Sequence, residues 1–424
     1  MTTEKNLYEI SVINEDSAED VALIQMDAYP GYHQNTVPQQ YAEKILEVNK
    51  RHNVNYYCVH KYEELIKKPV GSFSIWDFEI NLRQTMVKAS GIGAVAVDIG
   101  YKKEKVALEL MSYYINNLRN RGINMAMLYP FNSAFYKKMG FGFGTVLQQF
   151  RLKPADLPGG GSKAHIVRLH EHDDKILADF YNSRVSCTHG LALKEPDEFA
   201  RTLKVQQNKI FAYVDDFKVR GYIAFKFQEG SKESGLINDM VIYEILFDAP
   251  DVFAELMTFI NSQSDQVRYV IFNTQDDGFA GTIADPRNHT DRMLAPIFLE
   301  CYQVGHGLMY RICDVKKFFA EISACKFGDL QLKLQINVSD GFVPENNGSI
   351  VLEFVNGYCK IVTGAAADVS LSIDIAELSS LVMGNVNLKS LVKYGLVTVS
   401  DDAYLGLISS AFALDEKPVC FTYF

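Results

Sequence analysis

The chain has no apolar run of about 18 residues, so it offers no candidate for a bilayer-spanning helix. Its first residues, Met1-Thr2-Thr3-Glu4-Lys5-Asn6, lack the apolar core of an export leader, and a cytoplasmic location is expected. A basic excess is missing too. The formal net charge of −10 argues against a nucleic-acid partner, which is gripped by a basic face, and no membrane partner is expected either. That charge suits cationic small molecules or peptides, and equally a plain soluble surface. The seven cysteines include no Cys-x-x-Cys pair, which fits a reducing compartment where most serve as small buried hydrophobes. No metal centre is expected. His170-Glu171-His172-Asp173-Asp174 places two histidines at i and i+2, but it reads as a turn running into a helix cap, with no third ligand in sight. Cys187 and His189 lack a third group to orient them as a nucleophile pair. Tryptophan occurs once, at Trp76, as a pocket wall or a core residue.

What is present is a long globular chain. At 424 residues it exceeds one ordinary core, so two or three domains are expected. Strands alternate with helices through residues 7–129, giving a mixed α/β unit that ends near Pro158-Gly159-Gly160-Gly161-Ser162, the clearest linker. A second α/β unit follows. Its strand–helix–strand order around 240–272 echoes 95–129, but acidic Asp248 and Asp251 precede the helix and would repel phosphate, so no cofactor is expected there. In the third unit Asn356-Gly357 marks a hairpin, and Asp374 with Glu377 reads as a capping box. Leu405 to Phe412 reads as the last helix and Pro418 to Phe424 as a final strand that stops without a tail. The boundaries are drawn at 1–157, 158–311 and 312–424.

The stretch from Val95 to Phe143 carries most of the chemistry. A strand ending in Val95-Ala96-Val97 runs into Lys102-Lys103-Glu104-Lys105-Val106-Ala107 and then a helix; a second apolar strand leads to Phe131-Asn132-Ser133-Ala134-Phe135-Tyr136-Lys137-Lys138-Met139-Gly140-Phe141. A helix N-terminus offers unpaired N–H groups and a positive dipole end, and three lysines add charge there. If the two strands diverge, free backbone groups face an extended amide-bearing arm, with a phenol near its reactive end.

This segment resembles the acetyl-CoA site of the GNAT acetyltransferase superfamily. Over nearly its full length the chain resembles the enhanced-intracellular-survival (Eis-like) family of N-acetyltransferases, on the Tyr136 stretch, on Phe247-Asp248-Ala249-Pro250 and Phe272-Asn273-Thr274-Gln275-Asp276-Asp277, and on the chain end Pro418 to Phe424. The resemblance implies two tandem GNAT domains, the second without a cofactor loop, followed by a sterol-carrier-protein-like α/β domain that supplies a catalytic C-terminus. It implies acetyl-CoA as co-substrate, held by Val95, Ala96, Val97, Lys103, Glu104, Lys105, Val106, Ala107, Leu108, Phe131 and Asn132. Tyr136 is implied as the acid and the carboxylate of Phe424 as the base, with Asp27 in the acceptor site. It further implies a homo-oligomer, a trimer or hexamer, acting on a polyamine, an aminoglycoside or a lysine-type amine. One departure stands out: Lys105 occupies the loop position where the family carries glycine, and Glu104 puts a negative charge beside it. The alternative reading is therefore a degenerate member that binds acyl-CoA or serves as a non-catalytic subunit.

Overall fold

The computed structural model describes residues 7–63 and 66–424. The absence of an export leader was read from residues that lie outside these, at positions 1–6.

Among the described residues the chain builds two seven-stranded sheets, one five-stranded sheet and a small two-stranded hairpin. The first sheet runs in the order Tyr8–Val12, Val54–Glu63, Ile66–Leu82, Thr85–Val97, Met125–Leu128, Met309–Ile312, Gly142–Phe143. Thr85–Val97 and Met125–Leu128 are parallel. Parallel neighbours need a crossover, and helix Val106–Arg121 provides it. Its buried residues Val106, Leu110, Met111, Tyr114, Ile115 and Leu118 form one stripe against the sheet, and Gly122 ends it in the left-handed conformation at φ 71°.

The second sheet repeats the plan. Asn238–Phe247 and Val267–Thr274 are parallel, joined through helix Pro250–Asn261. Arg220 bridges Asp248 (3.2 Å) and Asp251 (3.4 Å) at the start of that helix, so the two carboxylates are partly neutralised by the neighbouring strand.

The two sheets exchange strands. Val146–Leu152 joins the second sheet, and Met309–Ile312 returns to lie between Met125–Leu128 and Gly142–Phe143 in the first. The third unit packs directly on this returned strand. One face of the first sheet, with Leu82, Val87 and Met127, shares a continuous buried cluster with Phe318, Leu334, Leu371 and Phe412 of the third unit.

Within that unit Asn356 (φ 52°) and Gly357 (φ 83°) make the expected tight turn between Gly348–Val355 and Tyr358–Val362. Helix Leu405–Phe412 forms as read, and Asp374 caps helix Ile375–Val382 through the amide of Ala376. Two readings are corrected. Glu377 does not close a capping box; its carboxylate pairs with Lys137 of the first unit at 2.7 Å, a charge-to-charge contact that outcompetes a local amide. Pro418 to Phe424 is not a strand. Among the described residues no strand pairs with it, and the side chains of Gln275, Lys194 and Tyr129, with the His189 carbonyl, supply its partners instead.

Arg83 and His189 lock the three units at one junction. The Arg83 amide donates to His189 Nδ1 (3.2 Å), and His189 Nε2 donates to the Met383 carbonyl (3.1 Å). The Arg83 guanidinium donates to the carbonyls of Ala411 and Phe412. Burial holds the His189 pKa down to about 4, the Met383 carbonyl opposing and Arg83 adding to the depression. Protonation is thus disfavoured in the folded state. The stability this provides is complete above the unfolded value of about 6.5 and is lost as pH falls from there toward 4, by about 2 kcal/mol at about pH 5. Urea midpoints between pH 7 and 5 should show that slope, and His189→Gln should flatten it.

Candidate active site

The strand Thr85–Val97 is the axis of the site. Its parallel pairing ends at Gly91 with Met127, so Ile92 to Val97 have a partner strand on one side only. A bulge at Ala94 (φ 49°) shifts the register against Ile66–Leu82, and the Val95 carbonyl accepts a 2.6 Å hydrogen bond from Tyr29 Oη.

Beyond the strand, Asp98 caps the amide of Gly100, and the loop closes with Lys103 (φ 70°) and Lys105 (φ 65°) in the left-handed region. Lys105 is the residue before helix Val106–Arg121 and offers no side-chain cap. The amides of Val106 and Ala107, in the first helical turn, have no intrahelical partner. Lys102, Lys103 and Lys105 are exposed around them, and Leu108 is partly exposed one residue on. Glu104 is drawn away into an ion pair with Lys61, and its carbonyl accepts from Tyr8 Oη (3.1 Å). The result is a helix end with free donors and uncompensated positive charge, which is what a pyrophosphate needs.

A left-handed conformation costs a lysine on the order of 1–2 kcal/mol and a glycine nothing, set against glycine's larger unfolded-state entropy. Lys105→Gly should therefore raise stability by up to about 1 kcal/mol and bind acetyl-CoA as tightly or more so. Thermal unfolding with calorimetry checks both.

Tyr136 lies on the short helix Ser133–Lys137, capped by Asn132 Oδ1 on the Phe135 amide (3.2 Å). The ring is buried among Phe131 (centroids 5.5 Å apart), Phe135 and Phe141, while Phe131 itself is largely exposed at the rim. Among the described residues the Tyr136 hydroxyl has no hydrogen-bond partner. Burial, with a smaller contribution from nearby Tyr29, pushes its pKa up, so it is a neutral phenol with a proton to give.

The backbone behind Tyr136 is gripped by Arg311, which is itself anchored on Asp340 of the third unit. Arg311 Nη1 donates to the Met139 carbonyl (2.5 Å), and Nη2 to Asp340 (2.6 Å); both side chains are fully buried. Asp340 also accepts from the amides of Phe342 and Val343 and from Asn346. Gly140, at φ 80°, has no room for a Cβ beside Arg311.

The chain end approaches the same strand from the other side. Residues 419–422 are pinned in sequence. The Val419 amide donates to the His189 carbonyl (2.9 Å). The Gln275 side-chain amide binds both backbone groups of Cys420, at 2.7 and 3.0 Å, as a strand neighbour would. Lys194 donates to the Phe421 carbonyl (3.4 Å), and Tyr129 Oη to that of Thr422 (3.0 Å). The ring of Phe424 lies over Gly91 and beside Phe78 (5.3 Å) and Tyr129 (5.4 Å). Its carboxyl carbon and oxygen lie 2.8 and 2.9 Å from where a Cβ on Gly93 would sit.

Val95, the loop 103–108, Phe131, Asn132 and Tyr136 thus gather at one end of the bulged strand, and Phe424 lies against Gly93, two residues from Val95. Asp27 is not drawn in: it is exposed on helix Glu15–Ala28 and does not line the large cavity beside the chain end, whereas Tyr29 of the same region reaches the strand. Trp76 lines that cavity and also packs against the Val54 cluster, so both of its readings apply. Sequence reasoning passed over Gly91 and Gly93. Their signal was legible, since glycine inside an apolar strand marks a close approach by another group. Tyr29 and Arg311 carry no local signal, and Gln275 enters the sequence reading only as part of the 272–277 stretch.

The acetyltransferase (GNAT) domain family matches residues 9–144, a second family of the same description matches 190–312, and the sterol carrier protein domain family matches 315–421. The chain carries two GNAT acetyltransferase domains and a sterol carrier protein domain. Its fold is that of a GCN5-related N-acetyltransferase from Anabaena variabilis, with TM-score 0.81 and 17% identity over 98% of this chain and 100% of that one. Eis1 from Mycobacterium abscessus superposes with TM-score 0.76 at 15% identity, over 98% of this chain and 100% of the other. No curated protein matches the sequence. The protein thus shares the three-domain fold of Eis1, and its two GNAT acetyltransferase domains imply acetyl-CoA as co-substrate. The site fits it: free amides at a helix N-terminus, exposed lysines there, and a one-sided strand edge. No group of three metal-ligating side chains occurs among the described residues, and none of their helices is long and apolar enough to cross a membrane.

Proposed function

We propose that this GNAT protein transfers an acetyl group directly from acetyl-CoA to an amine, of the polyamine, aminoglycoside or lysine type, with no covalent acyl-enzyme. The observation that carries the reading is the chain end seated on Gly91 and Gly93 of the strand whose Ile92, Val95 and Val97 share a buried cluster with Tyr136.

Acetyl-CoA supplies the activated acyl group. Backbone groups of Val95, Ala96 and Val97 would hold its extended arm; the amides and charges of 103–108, with Glu104 paired away, would hold its phosphates; Phe131 and Asn132 close the rim. The Phe424 carboxylate takes a proton from the substrate ammonium, directly or through water. Tyr136, neutral through burial, gives its proton to the departing sulfur. Arg311 and Asp340 fix the helix end that aims it. The working domain limits stay at 157/158 and 311/312, with strands 146–152 and 309–312 exchanged across them.

One feature favours the non-catalytic alternative: the loop is built from left-handed lysines where glycine is unstrained. A cytoplasmic homo-oligomer, trimer or hexamer, is part of the proposal. The apolar hairpin with Leu294 and Phe298, 65% and 63% exposed, offers a surface for a second copy.

The deciding experiment is an acetyl-transfer assay over polyamines, aminoglycosides and lysine peptides, reading free thiol, beside a calorimetric titration of acetyl-CoA. Turnover with any amine supports the enzyme. Binding without turnover supports the subunit reading.

A further inference from the structure

Helix Glu15–Ala28 ends over the bulged strand, and two of its side chains reach down to it. Tyr29, the residue that closes the helix, donates from Oη to the Val95 carbonyl at 2.6 Å. Gln25, one turn earlier on the same face and fully buried, donates from Nε2 to Ser72 Oγ (3.2 Å) and accepts from Tyr41 Oη (2.8 Å). Ser72 stands opposite Ala96. The helix end is thus fixed to both strands of the bulge.

The bulge is what makes the Val95 carbonyl available to a side chain. Ser72 pairs with Ala96 and Ser74 with Gly93, so Ala94 and Val95 share the single partner Phe73 and the ladder is interrupted there. Beyond the bulge the pairing is regular. The Asp98 amide donates to the Val70 carbonyl (3.0 Å). By the antiparallel alternation, Asp98 and Ala96 then turn their backbone groups to Ile66–Leu82, and Val97 turns its own to the open edge. Of the two carbonyls, Val95's is taken by Tyr29 and Val97's is left facing the edge. Tyr29 also lies near Tyr136, so the capped carbonyl is the one toward the reactive end.

We infer that Tyr29 is a positioning residue: by capping the Val95 carbonyl it sets the register of the acetyl-CoA arm on this strand edge. The inference rests on the proposed function for placing that arm there. An extended chain bearing amides, laid along a strand edge, meets the same pattern of backbone groups again after a slip of two residues, about 6.6 Å. With Val95 capped, an amide of the arm has only the Val97 carbonyl of these two, and the acyl end is held at one place. The hydroxyl carries the effect. A phenylalanine would fill the same space and leave the Val95 carbonyl as a second acceptor.

Tyr29→Phe in the full chain, which keeps the ring and its packing, tests this. It opens a non-productive register, so kcat and the KM for acetyl-CoA should fall together by about three- to tenfold, the worth of one neutral hydrogen bond, while kcat/KM holds. A tyrosine with a merely structural role would lower kcat/KM, and an idle one would move neither constant; either result overturns the inference. Calorimetry reads the same effect without turnover. The variant should bind coenzyme A about three- to tenfold more tightly than the wild type, and the phosphoadenosine diphosphate fragment, which lacks the arm, equally well. If no amine is acetylated, the enzyme reading fails, yet that pattern of binding still supports the role of Tyr29. Equal, weaker or absent coenzyme A binding, or an equal gain for the fragment, overturns it. Tyr41→Phe is the control, because it removes a hydroxyl bound to Gln25 and leaves the Val95 carbonyl capped. It should change neither affinity, and a gain in coenzyme A binding equal to that of Tyr29→Phe overturns the inference too.

Discussion

A short peptide added after Phe424 should lower turnover by on the order of 10² or more relative to the same protein tagged at its N-terminus, with the same amine and saturating acetyl-CoA. The extension replaces the terminal carboxylate with an uncharged amide at the place where it meets Gly93, and it fills the space over the strand. Deleting Phe424 is a second form of the test. The new carboxylate on Tyr423 would stand about 3.3 Å back and on the opposite face of the extended chain. The extended variant keeps the Phe424 ring between Phe78 and Tyr129, so it spares that packing. Gly93→Ala attacks the contact from the strand side, because a methyl there meets the carboxyl itself. All three should fold, since the first two units have their own buried clusters. Equal rates for the two tagged forms would make the chain end structural and leave the base unassigned.

Tyr136→Phe should lower kcat by roughly 10²–10⁴ and leave acetyl-CoA affinity unchanged. The hydroxyl makes no hydrogen bond among the described residues, and the ring that packs against Phe131, Phe135 and Phe141 is retained. Stability should therefore barely move, which separates this variant from one that disturbs the fold. Turnover within a factor of about three of the wild type, under about 1 kcal/mol of barrier, would move the acid elsewhere. Tyr129 is the next phenol along, but its hydroxyl is already committed to the Thr422 carbonyl at 3.0 Å, which fits a role in holding the chain end. Asp340→Asn should also lower kcat with little change in KM. It leaves Arg311 without its charge partner and loosens the Met139 carbonyl behind Tyr136, and breaking such a buried pair costs about 3–5 kcal/mol of stability.

The sequence by itself determined the three-part organisation, the strand–helix–strand unit around Val95 to Phe143 and the Asn356-Gly357 turn. These are local matters: hydrophobic period, turn residues and a short run around Tyr136 are written within a few tens of residues. It also held an unread local clue in Gly91 and Gly93. What only the tertiary structure decided are contacts between residues far apart in the chain. The last residues look like a strand, and their alternation supports that reading, but whether a segment becomes a strand depends on a neighbour offering its backbone. Here Gln275, Lys194 and Tyr129 offer side chains instead, and the segment stays an extended thread. Glu377 had the spacing of a capping box, yet Lys137, 240 positions away, took its carboxylate because a full opposite charge binds it more strongly than an amide does. Arg311 stands at a domain border in the sequence; the exchange of strands carried it inside the first sheet, where Asp340 and the Met139 carbonyl make its burial tolerable.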